Sequence, residues 1–346
     1  MGFDNHTLAP FQRDPYGSFI GLILLSASRL TSHLAIYAEK IMSQSSEKCP
    51  SGFLLTDILP FSAPSLHVLD IGAWMESVAV YSPLLSDPET RISGFEPNAQ
   101  AREDLTAQFK GGAWFPDILG DGNTHTFYET QYPGCSSLLS PDPKVINQFF
   151  TFGTEPGQAF HVARETQVQT TRLDDVDALT DIDFVKLDIQ GAELMVLEHG
   201  MAKLGKALVV QTEASFLPLY IDQPLFGEQH AFLRAHGFEL HKFIDVTGRA
   251  FNPFRPKQAW RPVSQLIEAD AIFVRHLTDL SKLSLDELIK TARILHDIYR
   301  SVDLVYAILM EYDRRSPILV AERYMDALRA KGEAIELKLM NVKGPY

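Results

Sequence analysis

Apolar and polar positions in this chain follow two periods that replace one another. Short apolar runs rich in β-branched and aromatic residues read as strands: His67–Ile71, Arg91–Phe95, Trp114–Leu119, Asp183–Leu187, Ala207–Thr212, Glu239–Ile244 and Ala271–Val274. Most of the segments between them repeat apolar residues at helical spacing, and this alternation from residue 61 to 276 predicts an α/β domain with a parallel sheet. An insert at 121–180, rich in Thr, Gly, Pro and aromatic residues, interrupts the pattern and contains one further strand-like run, Phe160–Val168. Residues 1–60 predict a helical extension with a helix from Ser18 to Met42. Residues 277–346 predict a helical tail, either an accessory packing layer or an oligomer interface. Ser284 and Glu287 there have capping-box spacing, followed by a stripe of Leu285, Leu288, Ala292, Leu295, Tyr299 and Val302 and a second helix at Ala321–Ala330.

The run Asp183-Phe184-Val185-Lys186-Leu187-Asp188-Ile189-Gln190-Gly191-Ala192-Glu193 carries the clearest functional signal. A strand stops at the carboxylate of Asp188, and a helix opens at Glu193 with Leu194, Val196 and Leu197. A strand-end carboxylate lies at the carboxyl edge of the sheet, where open α/β folds bind ligands. The strand His67–Ile71 likewise runs through Asp70 into a turn at Gly72 and Ala73, where glycine admits a ligand close to the backbone. About two dozen residues later Arg91–Phe95 ends in Glu96-Pro97-Asn98, an acid at the spacing that accepts hydrogen bonds from ribose hydroxyls.

Composition narrows the classes of partner. The formal net charge of −13 disfavours nucleic acid and leaves a small molecule or a neutral glycan. The cysteines, Cys49 and Cys135, are too few for a disulfide framework, so a cytoplasmic, reducing setting is expected. The apolar run Phe19–Leu25 is too short to span a bilayer, and Asp4 and Asp14 precede it where a signal peptide carries positive charge. The 11 histidines contain no His-x-x-x-His pair, so no dedicated metal site is expected.

Several motifs in order resemble the FkbM-type methyltransferases: Val68-Leu69-Asp70-Ile71-Gly72-Ala73, Gly94-Phe95-Glu96-Pro97-Asn98, Gly134-Cys135-Ser136-Ser137-Leu138-Leu139, Thr171-Arg172-Leu173-Asp174, Asp188-Ile189-Gln190-Gly191-Ala192-Glu193 and Gln211-Thr212-Glu213-Ala214-Ser215-Phe216-Leu217-Pro218-Leu219-Tyr220. The resemblance implies a class I, Rossmann-like methyltransferase fold, a seven-stranded and mostly parallel sheet whose last strand is antiparallel, with helices on both faces. It also implies S-adenosylmethionine as cofactor, and O-methylation of a sugar, glycan or similar small metabolite. Asp70, Gly72 and Ala73 would then lie near the methionine moiety and Glu96, with Pro97 and Asn98, at the ribose. Asp121 or Gly122 would fall near the adenine, and Ser136 and Ser137 would form a small polar wall near the cofactor. The first turn departs from the family pattern: Trp74 stands where Asn is usual, and Glu76 where a second Gly is usual.

Methyl transfer from a sulfonium needs alignment, exclusion of water and a group that takes the acceptor's proton. Asp188 is the first candidate for that group, Glu213 ends the next strand, and His161 and His199 are further candidate bases. Lys186 is placed to pair with an acid such as Glu213, and Glu193 either caps the loop or serves the site. Two other classes remain open. A nicotinamide-dependent oxidoreductase would want Gly-x-Gly-x-x-Gly, which Gly72-Ala73-Trp74-Met75-Glu76-Ser77 lacks. A non-catalytic scaffold on the same fold is the reading that Trp74 and Glu76 favour.

Overall fold

The computed structural model describes residues 52–73, 79–257 and 265–331. All of them belong to one unit, formed by residues 49–75 and 79–346. The predicted N-terminal helix at 18–42, and Trp74 and Glu76, lie outside the described residues.

In chain order the strands are β1 (His67–Ile71), β2 (Arg91–Phe95), β3 (Ala113–Phe115), β4 (Thr124–Thr130), β5 (Val162–Gln169), β6 (Phe184–Leu187), β7 (Val209–Ser215), β8 (Phe238–Arg249) and β9 (Gln265–Arg275). Seven of them form one sheet in the order β3-β2-β1-β6-β7-β9-β8. Every pairing in it is parallel except those of β9, which is antiparallel to both β7 and β8. This is the class I methyltransferase order, with its reversed last strand. The chain winds outward from β1 to β3 and returns at β6, so the switch point lies between β1 and β6, where open α/β sheets take their ligands.

Successive side chains on a strand point to opposite faces, and both faces are covered. The helices are α1 (Ala99–Gln108), α2 (Glu193–Glu198), α3 (Phe226–Ala235), α4 (Leu285–Asp297), α5 (Val302–Arg315) and α6 (Ala321–Ala330), with short single turns between. Leu69, Val185, Val210 and Phe273 pack with Val196 and Leu197 of α2 and Leu233 of α3. Val68, Phe184, Val209 and Ile272 pack on the opposite side with Leu288 and Leu295 of α4, Ile308 of α5 and Tyr324 of α6.

The tail stripe therefore faces the chain's own sheet, and the tail supplies one of the two helical layers. The capping box is made: Glu287 N donates to Ser284 Oγ at 3.2 Å, and Ser284 N to Glu287 Oε2 at 2.7 Å. Polar ties fix the layer to distant chain. The guanidinium of Arg293, 1% exposed, donates to the Pro64 carbonyl at 2.6 Å and to Asp87 Oδ2 at 2.7 Å. The Leu55 amide donates to Asp297 Oδ1 at 2.8 Å.

Several boundaries differ from the sequence reading; β7, for one, is Val209–Ser215 rather than Ala207–Thr212, so Glu213 lies within the strand rather than at its end. The third strand stops at Phe115 rather than Leu119 because Pro116 follows and has no N–H for the ladder. Within the insert, β5 pairs with β4, which went unread because Thr-His-Thr-Phe-Tyr-Glu-Thr presents no continuous apolar face. The β8–β9 pair runs beyond the sheet core, and its tip docks on the insert, where Phe150 N donates to the Ala250 carbonyl at 2.9 Å. Among the described residues no helix is long and apolar enough to cross a membrane.

Two outcomes test this layer. Leu295, fully buried, is expected on truncation to alanine to lower unfolding free energy by about 2–5 kcal/mol in urea titration. Burial pushes the Asp297 carboxyl up to about 7. The folded chain therefore holds a proton there that the unfolded chain, titrating near its ordinary value, has already released. This contribution to stability is full below about pH 4 and is lost as pH rises to about 7. Asp297→Asn should flatten that part of the melting temperature against pH curve relative to the unsubstituted chain.

Candidate functional site

The loops after β1 and β6 touch at the switch point. Gly72 has φ +82°, and a Cβ at that position would collide with the Asp188 carbonyl oxygen, so no side chain fits. The Asp188 amide donates to the Ile71 carbonyl at 3.0 Å, which carries the ladder one step beyond the strands. Gly94 on β2 is equally closed, because a Cβ there would run into the Asp70 carbonyl and the Trp114 ring.

Asp70 is 4% exposed. Tyr81 donates to its Oδ2 at 2.6 Å, and Lys186 Nζ lies 4.0 Å from its Oδ1. That Oδ1 has no hydrogen-bond partner among the described residues. Burial raises the carboxyl above its usual range, opposed by the Lys186 charge. Lys186 also stands 3.7 Å from Asp188 Oδ2, so it bridges the ends of β1 and β6.

Glu96, at the end of β2, is 8% exposed and is pushed up by burial. Its Oε1 accepts from the Asn98 amide at 2.6 Å, and Asn98 Oδ1 caps α1 by accepting from Ala101 N at 3.0 Å. Pro97 and Asn98 thus fix the turn in which Glu96 is presented. Asp121 follows β3 and is heavily bonded: Asn123 N donates to it at 2.9 Å, Asn123 Nδ2 at 2.8 Å, and its Oδ1 lies 2.8 Å from His125 Nε2. Burial raises its carboxyl, but these bonds and the His125 charge together outweigh that and hold it well below the usual range. A cavity of about 270 Å³ opens beside it, lined also by Leu139, Gly191, Leu194, Met195 and His199.

Beyond Asp188 the chain turns through Gln190 at φ +59° and Gly191 at φ +100°. Glu193, 1% exposed, braces that turn, with Oε1 accepting from Ile189 N at 2.9 Å and Gly191 N at 3.0 Å. Burial raises its carboxyl to about 7. Glu193 is therefore held by the loop rather than facing out of it.

Glu213 on β7 lies beside Asp188, since Leu187 pairs with Thr212. Burial raises its carboxyl well above the usual range, and the charge of Asp188 adds to this. The side-chain amide of Gln190 spans the two acids, 3.1 Å from Asp188 Oδ1 and 3.3–3.4 Å from the Glu213 oxygens. Asp270 on β9 pairs with Glu213 in register and is raised to about 7 by burial. Gln211 donates to Asp270 Oδ2 at 2.6 Å, and Tyr299, just after α4, donates to Gln211 Oε1 at 2.7 Å.

From the insert, Ser137 Oγ donates to the Gln190 carbonyl at 2.7 Å, which brings it to the same edge. His161 bonds elsewhere, its Nδ1 lying 3.1 Å from the Thr154 carbonyl within the insert. His199 likewise bonds the Met195 carbonyl of its own helix at 2.9 Å. The structure thus gathers Asp70, Gly72, Asp188, Glu213 and Ser137, with Glu96 at the neighbouring strand end, and ties His161 into the insert.

Sequence reasoning missed Tyr81, Gln190 as a bridge, and Asp270. A charged residue between Ala269 and Ala271 in an apolar strand was a usable signal for the last. Tyr81 carried no signal.

A family model for the methyltransferase FkbM domain matches residues 70–240. No curated protein matches. Among solved structures, a TehB-like S-adenosylmethionine-dependent methyltransferase from Corynebacterium glutamicum is similar at 12% identity, covering 70% of this chain and 97% of that one with a TM-score of 0.32. Magnesium protoporphyrin IX methyltransferase from Synechocystis, with bound S-adenosylmethionine, is 10% identical over 77% of this chain and 86% of its own, with a TM-score of 0.32. A 1,6-didemethyltoxoflavin N1-methyltransferase from Burkholderia thailandensis, bound to S-adenosylhomocysteine, is 10% identical over 77% and 94%, with a TM-score of 0.31. Overlaps this low carry no weight for the site, which stands on the strand order, the strand-end acids and the family model. Residues 70–240 are an FkbM methyltransferase domain.

Proposed function

We propose that this chain is an S-adenosylmethionine-dependent methyltransferase that methylates a hydroxyl of a sugar, glycan or related small metabolite. The observation that supports the cofactor is the buried Asp70 Oδ1 at the switch point, which accepts no hydrogen bond among the described residues and has Lys186 only at 4.0 Å, beside a glycine turn without room for a side chain. A buried carboxyl oxygen left without a donor is costly, and the ammonium of an amino-acid moiety supplies one. Glu96, presented at the next strand end by Pro97 and Asn98, fits the ribose hydroxyls. Asp121 and the adjoining cavity fit the adenine end. Bound there, S-adenosylmethionine supplies an electrophilic methyl group on a good leaving group.

The chain's own residues then have three tasks. The first is to hold the acceptor oxygen in line, for which Asp188, just past β6, and Glu213, on the adjacent β7, stand side by side. The second is to receive the hydroxyl proton, which a carboxylate in hydrogen-bond reach does as a general base. Asp188 takes this role, because burial keeps Glu213 protonated to higher pH. The third is to exclude water, for which the insert and the β8–β9 tip are positioned together.

Calorimetric titration with S-adenosylmethionine and with nicotinamide cofactors tests the reading. Binding of the first alone is expected, and binding of neither sinks it in favour of a scaffold. Glu96→Ala should weaken S-adenosylmethionine about 10-fold or more, the value of a hydrogen bond to a charged group; unchanged affinity would move the ribose elsewhere. Asp188→Asn should leave that affinity nearly intact and lower transfer of labelled methyl to a hydroxyl panel about 10²–10⁴-fold.

A further inference from the structure

Gln190 is the one residue of the Asp188–Glu193 run whose side chain reaches both Asp188 and Glu213, and the loop is built around it. Its backbone sits in the left-handed region at φ +59°, which glycine, asparagine and aspartate enter more readily than glutamine. Three separate elements hold it there. The amides on either side, Ile189 and Gly191, are both bound by the buried Glu193 carboxyl. Its carbonyl accepts from Ser137 Oγ of the insert at 2.7 Å. Its side-chain carbonyl lies 3.3 Å from the Tyr220 hydroxyl, itself 2.9 Å from the Cys135 carbonyl. With the carbonyl end so occupied, the amide end turns to Asp188 Oδ1 at 3.1 Å and to the two Glu213 oxygens at 3.3 and 3.4 Å. Strain at functional positions persists where the surroundings over-determine it, and these contacts over-determine Gln190.

We propose that Gln190 is a positioning residue, a clamp anchored on the insert whose amide fixes the Asp188 and Glu213 carboxyls side by side and steadies the charged form of Glu213 against the acids around it. The role rests on the methyltransferase reading for its purpose, though the clamp itself can be tested without cofactor or acceptor. An amide that donates to a carboxylate favours the charged form, so it opposes the groups that surround Glu213. Those are Asp188 on the β6 loop, Glu193 on α2, and Glu268 and Asp270 on β9, all of which favour its protonated form. Cys135 and Tyr220 complete the surroundings, each itself pushed up by burial and by the Glu213 charge. Lys186 stands behind Asp188 at 3.7 Å. Against these acids the Gln190 amide is the neutral donor that lets two carboxyls share one edge.

The test is carboxyl ¹³C NMR titration of the full chain labelled on Asp and Glu, with the Glu213 resonance assigned by its loss in Glu213→Gln. Gln190→Leu keeps the bulk and removes the donor. Gln190→Asn keeps an amide one carbon shorter and suits the left-handed backbone, so it guards against misfolding. In both, the Glu213 midpoint should rise, by about one pH unit in Gln190→Leu and by less in Gln190→Asn. Unchanged midpoints in both variants overturn the clamp. Calorimetry of the unsubstituted chain with S-adenosylmethionine separates the two ideas. A midpoint shift without cofactor binding refutes the methyltransferase reading and leaves the clamp, and cofactor binding without a shift refutes the clamp alone.

Discussion

Position 72 leaves no room for a side chain, and most of the site follows from that contact. The β1 loop passes against the Asp188 carbonyl so closely that only glycine fits, and the parallel β1–β6 pairing is thereby carried past the last strand residues. Asp70 and Asp188 are brought near enough for one lysine to lie within 4.0 Å of both. Were the loops to part, Lys186 would lose its bridge and the buried Asp70 would be left uncompensated beside the half-exposed Asp188. Breaking a buried pair in this way is strongly destabilising, while the intact pair adds little to stability. The contact is better understood as fixing geometry than as strengthening the fold.

The tail changes how the domain is bounded in physical terms. The family model ends at residue 240, yet the sheet needs β9 to complete its order and α4 to α6 to cover one face. Tyr299 reaches through Gln211 to Asp270, so the helical layer is also joined by hydrogen bonds to the acidic edge. A sheet with one bare apolar face is not stable in water. The tail is therefore part of the folded unit that presents the site.

Strand-end carboxylates were legible in the sequence because an apolar run that stops at an acid has few other readings. The bounds of β1 and β2 and the capping box at Ser284 were legible for the same local reason. What the sequence could not show were partners set by distant chain. Tyr81 reaches Asp70 across a turn, Arg293 reaches Pro64 across most of the domain, and Gln190 takes its orientation from Ser137 and Tyr220. The strand β4 was hidden because both its faces are half-exposed, so no period marked it.

The edge is formally crowded with acid, but burial decides how much of that charge is expressed. Glu193 and Asp270 are each raised to about 7, so near neutral pH they hold much of their proton content, and Glu213 is raised well above its usual range. Desolvation leads in all three, and the Asp188 charge adds to each. Two carboxyls whose surroundings push them apart can divide acid and base roles between them. On the proposed reading that division falls between Asp188 and Glu213: burial holds Glu213 towards its protonated form, and the Gln190 amide, which donates to both acids, opposes it.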